Sequence, residues 1–255
     1  MRTALHRITR QVLTAARYEE IYGKPIDGAG NERHRDYALC DICDQDVYLR
    51  AEHSQHRIPN FSHLGNSSFC PAKDFNAEAY RRLNPVDADP QAALALKNAF
   101  FKTWKFHWVE FNRIIKYASI YDFSKILKYA SRHGMWGYRG MRVQDVLAVL
   151  LTLMDFMPLP KDKRYLRDYG FRFFYKGSVW NTNEYWNLPE GRRSLMQVKY
   201  EFPGKTRTFQ EVNISSKNDV IFDPGYLTGV YVEQPPVNSF VEDFMAKEFP
   251  NLSGL

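Results

Sequence analysis

Cys40, Cys43, His63 and Cys70 are the residues whose types and spacing point to definite chemistry: a Cys-x2-Cys knuckle followed, within a short stretch, by one His and the third and last cysteine. Three sulfurs and an imidazole are the donor set of a tetrahedral structural Zn2+. A closed Cys3His set leaves no coordination position for a substrate. The expected cofactor is therefore one structural Zn2+ per chain. His34, His53 and His56 lie nearby, so the fourth ligand stays open among His63, His53 and His56. His63 is preferred because it falls on the return strand just ahead of Cys70-Pro71. The competing readings are free thiols and a disulfide framework. Three is an odd count for pairing, and disulfide scaffolds belong to small secreted domains.

The elements that must position these ligands are short. Asp46-Val47-Tyr48-Leu49 and Ile58-Pro59-Asn60-Phe61 are extended-looking runs around a polar turn at Ser54-Gln55, which predicts the β-hairpin of a zinc ribbon. The run Cys40-Asp41-Ile42-Cys43, then Ile58-Pro59-Asn60-Phe61-Ser62-His63, then Cys70-Pro71 resembles the N-terminal zinc-ribbon element of CoiA-like competence proteins, with Asn60 in place of the first His of their His-Phe-x-His box. The resemblance covers residues 37–71 and implies a nuclease domain downstream. Gln197-Val198-Lys199 mimics the end of a nuclease D…(D/E)-x-K signature, but Gln stands where the metal-binding carboxylate belongs. His56, Asn66 and Asn76 fall in the order of an HNH nuclease, in a span that must also hold His63 and Cys70. Without the surrounding ββα context such an order remains a bare motif.

Charge is the second signal. The chain carries a formal net charge of +6, with 44% apolar and 25% charged residues, an ordinary globular balance. From Lys97 to Arg142 ten Lys/Arg face two acids, Glu110 and Asp122, so this window is more basic than the whole chain. Read as one helix, Lys102, Lys105, Arg113 and Lys116 share an arc of roughly 80°, with Phe100, Trp104, Trp108, Phe111 and Ile115 opposite. Lys125, Lys128 and Arg132 repeat the stripe on the next helix, which Asp122 or Ser124 is placed to cap. Surfaces that serve only solubility intersperse both signs, whereas a single-sign field suits a polyanion whose counterions are released on contact. Nucleic acid is the expected partner. Arg2, Arg10 and Arg17 extend the basic surface along an N-terminal helix, and Lys161, Lys163, Arg164 and Arg167 extend it after the Pro158/Pro160 break. Trp180, Tyr185 and Trp186 sit in an Asn-rich segment as candidate stacking platforms.

The coarse organisation is an α+β fold: an N-terminal helix and zinc-ribbon module over residues 1–90, and a mainly helical basic body with a C-terminal antiparallel β-hairpin region over 91–255. Helices are expected over 4–22, 76–83, three across 91–157, and 237–249. Gly170 to Tyr175 reads as a strand. Met196, Val198, Tyr200 and Phe202 alternate as another, with Thr208 to Ile214 as its hairpin partner. The apolar run from Val146 to Met157 is too short and too interrupted to span a membrane. The expected site is thus a cytoplasmic one. Gly204-Lys205-Thr206 lacks the first P-loop glycine, and Gly28-Ala29-Gly30 lacks the third glycine of a dinucleotide fingerprint. No Ser/His/Asp or Cys/His pair has readable spacing, so no catalytic residue is assigned.

In its overall organisation, with the zinc element at Cys40, Cys43, His63 and Cys70 ahead of a basic helical body, the chain is similar to the large-subunit family of type IV CRISPR-Cas effector complexes. That resemblance implies a non-catalytic subunit that reads a short protospacer-adjacent duplex motif beside a guide RNA, in contact with other protein subunits. The alternatives are an HNH-like or CoiA-like metal-dependent nuclease, and a zinc-stapled adaptor that binds no nucleic acid.

Overall fold

The computed structural model describes residues 1–52, 54, 56–67, 70, 73, 89–158, 168–176, 195–202, 209–223, 225–227 and 233–250. The fold is α+β. The described residues of Met1–Phe75, joined by Lys176 and Gln210–Val212, make one compact unit; those of Asn76–Tyr175, Asn181–Phe209 and Asn213–Leu255 make a second. The helix expected over 76–83 lies outside the described residues.

The first unit is built on a five-stranded sheet, where a long N-terminal helix was expected. β1 (Thr3–Leu5) and β2 (Val12–Thr14) form an antiparallel hairpin, and only Ala15–Tyr22 is helical (α1). The helical spacing of Leu5, Ile8 and Val12 is coincidental. Ile8 is 84% exposed in the hairpin turn, where the His6 ring accepts from the backbone N–H groups of Ile8 and Thr9, while the small and branched residues pair as strands. Thr14 ends β2 and caps α1 by accepting from the Arg17 N–H. β3 (Ala38–Leu39), β4 (Asp46–Arg50) and β5 (Asn60–His63) complete the sheet in the order β2-β1-β3-β4-β5. The expected ribbon hairpin is present as the β4–β5 pair, with its return strand two residues later than expected. Ile58 stays outside it and is exposed, because it is Val47 and Leu49 on β4 and Phe61 on β5 that reach the core. Met1, just ahead of β1, exchanges two backbone hydrogen bonds with Phe61, at 3.0 and 2.9 Å, so the sheet curls towards closure. Ala4, Leu13, Tyr18, Leu39, Val47, Leu49 and Phe61 fill its interior. A bidentate Arg35–Glu52 pair at 2.6 and 2.7 Å is buried beside the Tyr18 ring.

The second unit opens with helices. α2 (Pro90–Lys102) starts on an Asp89 cap with Pro90 in its first turn. α3 (Trp104–Ile115) follows after a break at Thr103, whose hydroxyl turns back to the Ala99 and Phe100 carbonyls at 3.0 and 3.3 Å. α4 (Ile120–Arg132) is capped by Ser119, not by Asp122 or Ser124; Ser124 is buried inside the helix. α5 (Val143–Thr152) is buried from Asp145 onward, as its unbroken apolar run requires. Four helices thus occupy the region expected to hold three. Phe100, Phe111, Phe123, Trp136 and Phe156 form a continuous aromatic cluster between them. Among the described residues no helix is long and apolar enough to cross a membrane.

His107 is embedded in this cluster, stacked on Phe100 with centroids 4.0 Å apart. Its Nε2 lies 3.2 Å from the Thr103 hydroxyl and its Nδ1 2.5 Å from the Tyr226 hydroxyl. Since the Thr103 proton is directed to a carbonyl, a neutral ring with its proton on Nε2 satisfies both contacts, Tyr226 donating to Nδ1. Desolvation lowers its pKa to about 3. In the unfolded chain the ring titrates near 6.5, so the unfolded state binds the extra proton between these values. The contribution of His107 to the stability of this unit is therefore fully present above about pH 6.5 and is lost as pH falls towards 3, by up to about 1.4 kcal/mol per pH unit. Urea midpoints across pH 7 to 4 for wild type and His107→Gln check this: the variant loses that slope.

The C-terminal sheet is three-stranded, with β6 (Tyr169–Tyr175), β7 (Leu195–Glu201) and β8 (Ile214–Val220) all antiparallel. The expected hairpin partner at Thr208 to Ile214 is displaced. Of that segment, Phe209 packs edge-on against Tyr200 and Phe202, Glu211–Asn213 form a 3-10 turn, and pairing with β7 begins at Ile214. Gly170 is required by close approach, since a Cβ there would meet the Phe156 carbonyl oxygen at 2.9 Å where Phe156 bridges to Phe171. Arg172, 2% exposed in mid-strand, pairs with Asp155 at 3.0 Å and lies over the rings of Phe174 and Phe209. The last helix, α6 (Ser239–Glu248), is capped by Asn238.

Candidate metal centre and nucleic-acid interface

The knuckle forms where β3 leads into β4. The Cys40 N–H donates to the Gln45 carbonyl at 2.8 Å and the Asp44 N–H to the Cys40 carbonyl at 3.0 Å, with Asp44 in the left-handed region at φ 59°. This tight turn presents both sulfurs to one side. The β4–β5 register sets His63 opposite Val47 and carries its Nε2 to 3.3 Å from the Cys43 sulfur. Cys70 closes the set, its sulfur 3.8 Å from that of Cys40. All four donor atoms lie within 4.8 Å of one another.

That separation fits a tetrahedral ion. With Zn–S near 2.3 Å, sulfurs on a tetrahedron stand about 3.8 Å apart. Cys40, Cys43 and Cys70 are buried. N–H donors already support the sulfurs: Ile42 to Cys40 at 3.4 Å and the Gln45 amide to Cys43 at 3.3 Å, as thiolate ligands require. Hydrogen bonding from the Cys43 thiol, and then from Cys70, pushes Cys40 well below the usual thiol range. The bond to Cys40 pushes Cys43 up, and burial pushes Cys70 up. A divalent ion would be held by all three sulfurs and His63, as a structural clamp. His34 and His56 are exposed and His53 lies outside the described residues.

The nuclease candidates are placed as follows. His56 and Asn66 are exposed, and Asn76 is outside the described residues. The Gln197 amide donates to the Ile114 carbonyl at 3.0 Å, tying β7 to α3, and Lys199 pairs with Glu201 at 3.0 Å. Gly204-Lys205-Thr206, Trp180, Tyr185, Trp186 and the basic candidates Lys161, Lys163, Arg164 and Arg167 also lie outside the described residues.

The basic stripe is real but differently built. The Thr103 break separates Lys102 from Lys105, and Lys116 falls just beyond α3 with φ 22°. Three of its cations are paired. Arg113 is bidentate to buried Glu110 at 2.7 and 2.6 Å, while Lys105 pairs with Glu242 and Lys128 with Glu248. Two of the three acidic residues of α6, Glu242 and Glu248, are thus spent on the basic helices. Lys97, Lys102, Lys116, Lys125 and Arg132 have no ion-pair partner among the described residues, and all but Lys97 are exposed. In the first unit Arg7 pairs with Asp46, Arg10 with Asp44 and Arg17 with Glu20, so the N-terminal arginines do not form one basic helix face.

On α4, Tyr121, Lys125, Lys128 and Arg132 share the exposed face at spacings of four, three and four. With Ser124, Tyr129, Phe244 and Glu248 they line a groove of about 430 Å3 between α4 and α6. The sequence marks the basic members; the contribution of α6 has no local signal. No family model matches the chain, and neither a curated protein nor a solved structure matches it.

Proposed function

We propose that this chain is a non-catalytic, zinc-stapled, nucleic-acid-binding subunit. The observation that carries this reading is the set of cations left over after internal pairing: Lys102, Lys116, Lys125 and Arg132 stand exposed on or beside successive helices without an acidic partner among the described residues. An unneutralised single-sign surface gains free energy by displacing counterions from a polyanion. The metal centre supports the same reading, because a closed Cys3His set holds structure and offers no site for a reacting group. The resemblance to the type IV CRISPR-Cas large subunits narrows the proposal to DNA: a subunit that captures a protospacer-adjacent duplex motif, with the guide RNA supplying sequence and other subunits completing the complex.

A salt-titrated gel shift with labelled duplex DNA, single-stranded DNA and RNA, with Mg2+ lanes read on denaturing gels, tests this. The expected result is binding that weakens by on the order of 10²-fold between 50 and 200 mM salt, with no cleavage. Mg2+-dependent cleavage would establish the nuclease reading instead. Failure to bind at low salt would leave an adaptor whose basic face meets an acidic protein.

A further inference from the structure

We infer that the α4–α6 groove is a single-strand site: it stacks unpaired bases on Tyr121 and holds the flanking phosphates on Lys125 and Arg132. This rests on the general nucleic-acid-binding reading, not on its narrowing to a duplex motif, and adds the strand state at this groove and the residues that sense it.

Aromatic rings accompany the cations. Tyr121 is 60% exposed although Phe244 packs edge-on against it, with centroids 4.9 Å apart at 74°. Phe240, one turn earlier on α6 and 55% exposed, continues the row at 6.4 Å from Phe244. Across the groove Tyr129 stacks on His133 at 4.2 Å and 25°. Tyr121 and Phe240 leave ring surface open to water, where it gains little, whereas a base stacked on it gains energy. A duplex keeps its base faces inside its own stack, so rings interleaved with cations select an unpaired strand. Lys125 and Arg132 lie two helical turns apart, about 10 Å along α4, and bracket the groove. Its volume of about 430 Å3 suits a small ligand such as a nucleotide unit rather than an extended surface. Lys128 between them is held by Glu248, which lines the same groove. An incoming phosphate must exchange with that carboxylate, so Glu248 opposes binding.

Fluorescence anisotropy with labelled oligothymidylate of about a dozen nucleotides, a matching oligouridylate and a mixed-sequence duplex of the same length tests the site. Tyr121→Ala is expected to weaken oligothymidylate binding at least fivefold with little change in salt slope, and Tyr121→Phe to retain it. Lys125→Ala/Arg132→Ala is expected to lower the salt slope by about 1.4, the value for two single-strand phosphates. Glu248→Gln is expected to tighten binding severalfold. Tyr121, Lys125 and Arg132 are exposed, and a thermal melt confirms that each variant folds. If the wild-type chain binds oligothymidylate but Tyr121→Ala and the double variant behave like it, or if only the duplex is bound, the groove assignment falls and the broader reading stands. If no probe binds, both fall.

Discussion

Replacing Cys40 with serine is expected to take the zinc content from one ion per chain to none and to unfold the N-terminal unit while the C-terminal unit keeps its own transition. Apparent binding energies of structural zinc sites run to about 10–16 kcal/mol near neutral pH, comparable with or larger than the whole stability of a small domain. The first unit has little else to hold it: strands of two to five residues and a core of a few side chains. Binding the ion also requires the thiols to give up their protons, Cys70 against the pull of its burial. Metal affinity should accordingly fall as pH falls. Elemental analysis gives the stoichiometry and hydrogen exchange locates the loss in β1 to β5. Retention of one zinc with unchanged protection would show that the ligand set is wrong.

The second large effect is expected at Arg172. Its guanidinium is inside the C-terminal unit, paired with Asp155 and sandwiched against Phe174 and Phe209. Arg172→Ala removes the cation that pairs with Asp155, which is 18% exposed, and leaves a cavity beside the Phe174 and Phe209 rings. Breaking a buried pair from one side costs roughly 3–5 kcal/mol. Arg172→Met with Asp155→Asn keeps the volume and removes both charges, so it should recover most of that loss. Chemical denaturation of the C-terminal transition measures both. A single variant within about 1 kcal/mol of wild type would contradict the burial of this pair, since substitutions free of such features rarely exceed about 0.5 kcal/mol.

The metal cluster was legible because ligand chemistry is written in residue type and because its hairpin is local: Asp46 to His63 pair across a single turn. At the N-terminus the β1–β2 hairpin is local too, but no ligand chemistry marks it. There Leu5, Ile8 and Val12 match a helical period, and only the docking of β1 against β3, more than thirty residues away, decides for a strand pair. The build of the basic stripe was hidden for a comparable reason. Thr103 breaks the helix through its own side chain, a local event that a smooth apolar period conceals. The acids that neutralise Lys105 and Lys128 arrive from α6, 137 and 120 residues later. Charge counted along a window cannot see such partners. The hairpin partner expected at Thr208 to Ile214 is likewise displaced: Phe209 packs on Tyr200 and Phe202, and pairing with β7 begins at Ile214.

The two hydrogen bonds between Met1 and Phe61 carry a consequence for how the first unit assembles. They join chain positions 60 residues apart, and until they form neither β1 nor β5 gains from its neighbour on that side. Closing a loop of that length costs entropy before any contact repays it, which is the property that slows β-rich folding. The four metal ligands span half that distance, from residue 40 to residue 70. An ion captured early would draw β4, β5 and the knuckle together and shorten the search left to the N-terminal strand. A metal bound there would then act as a kinetic organiser as well as an anchor, with the order of events running from the middle of the sheet outward.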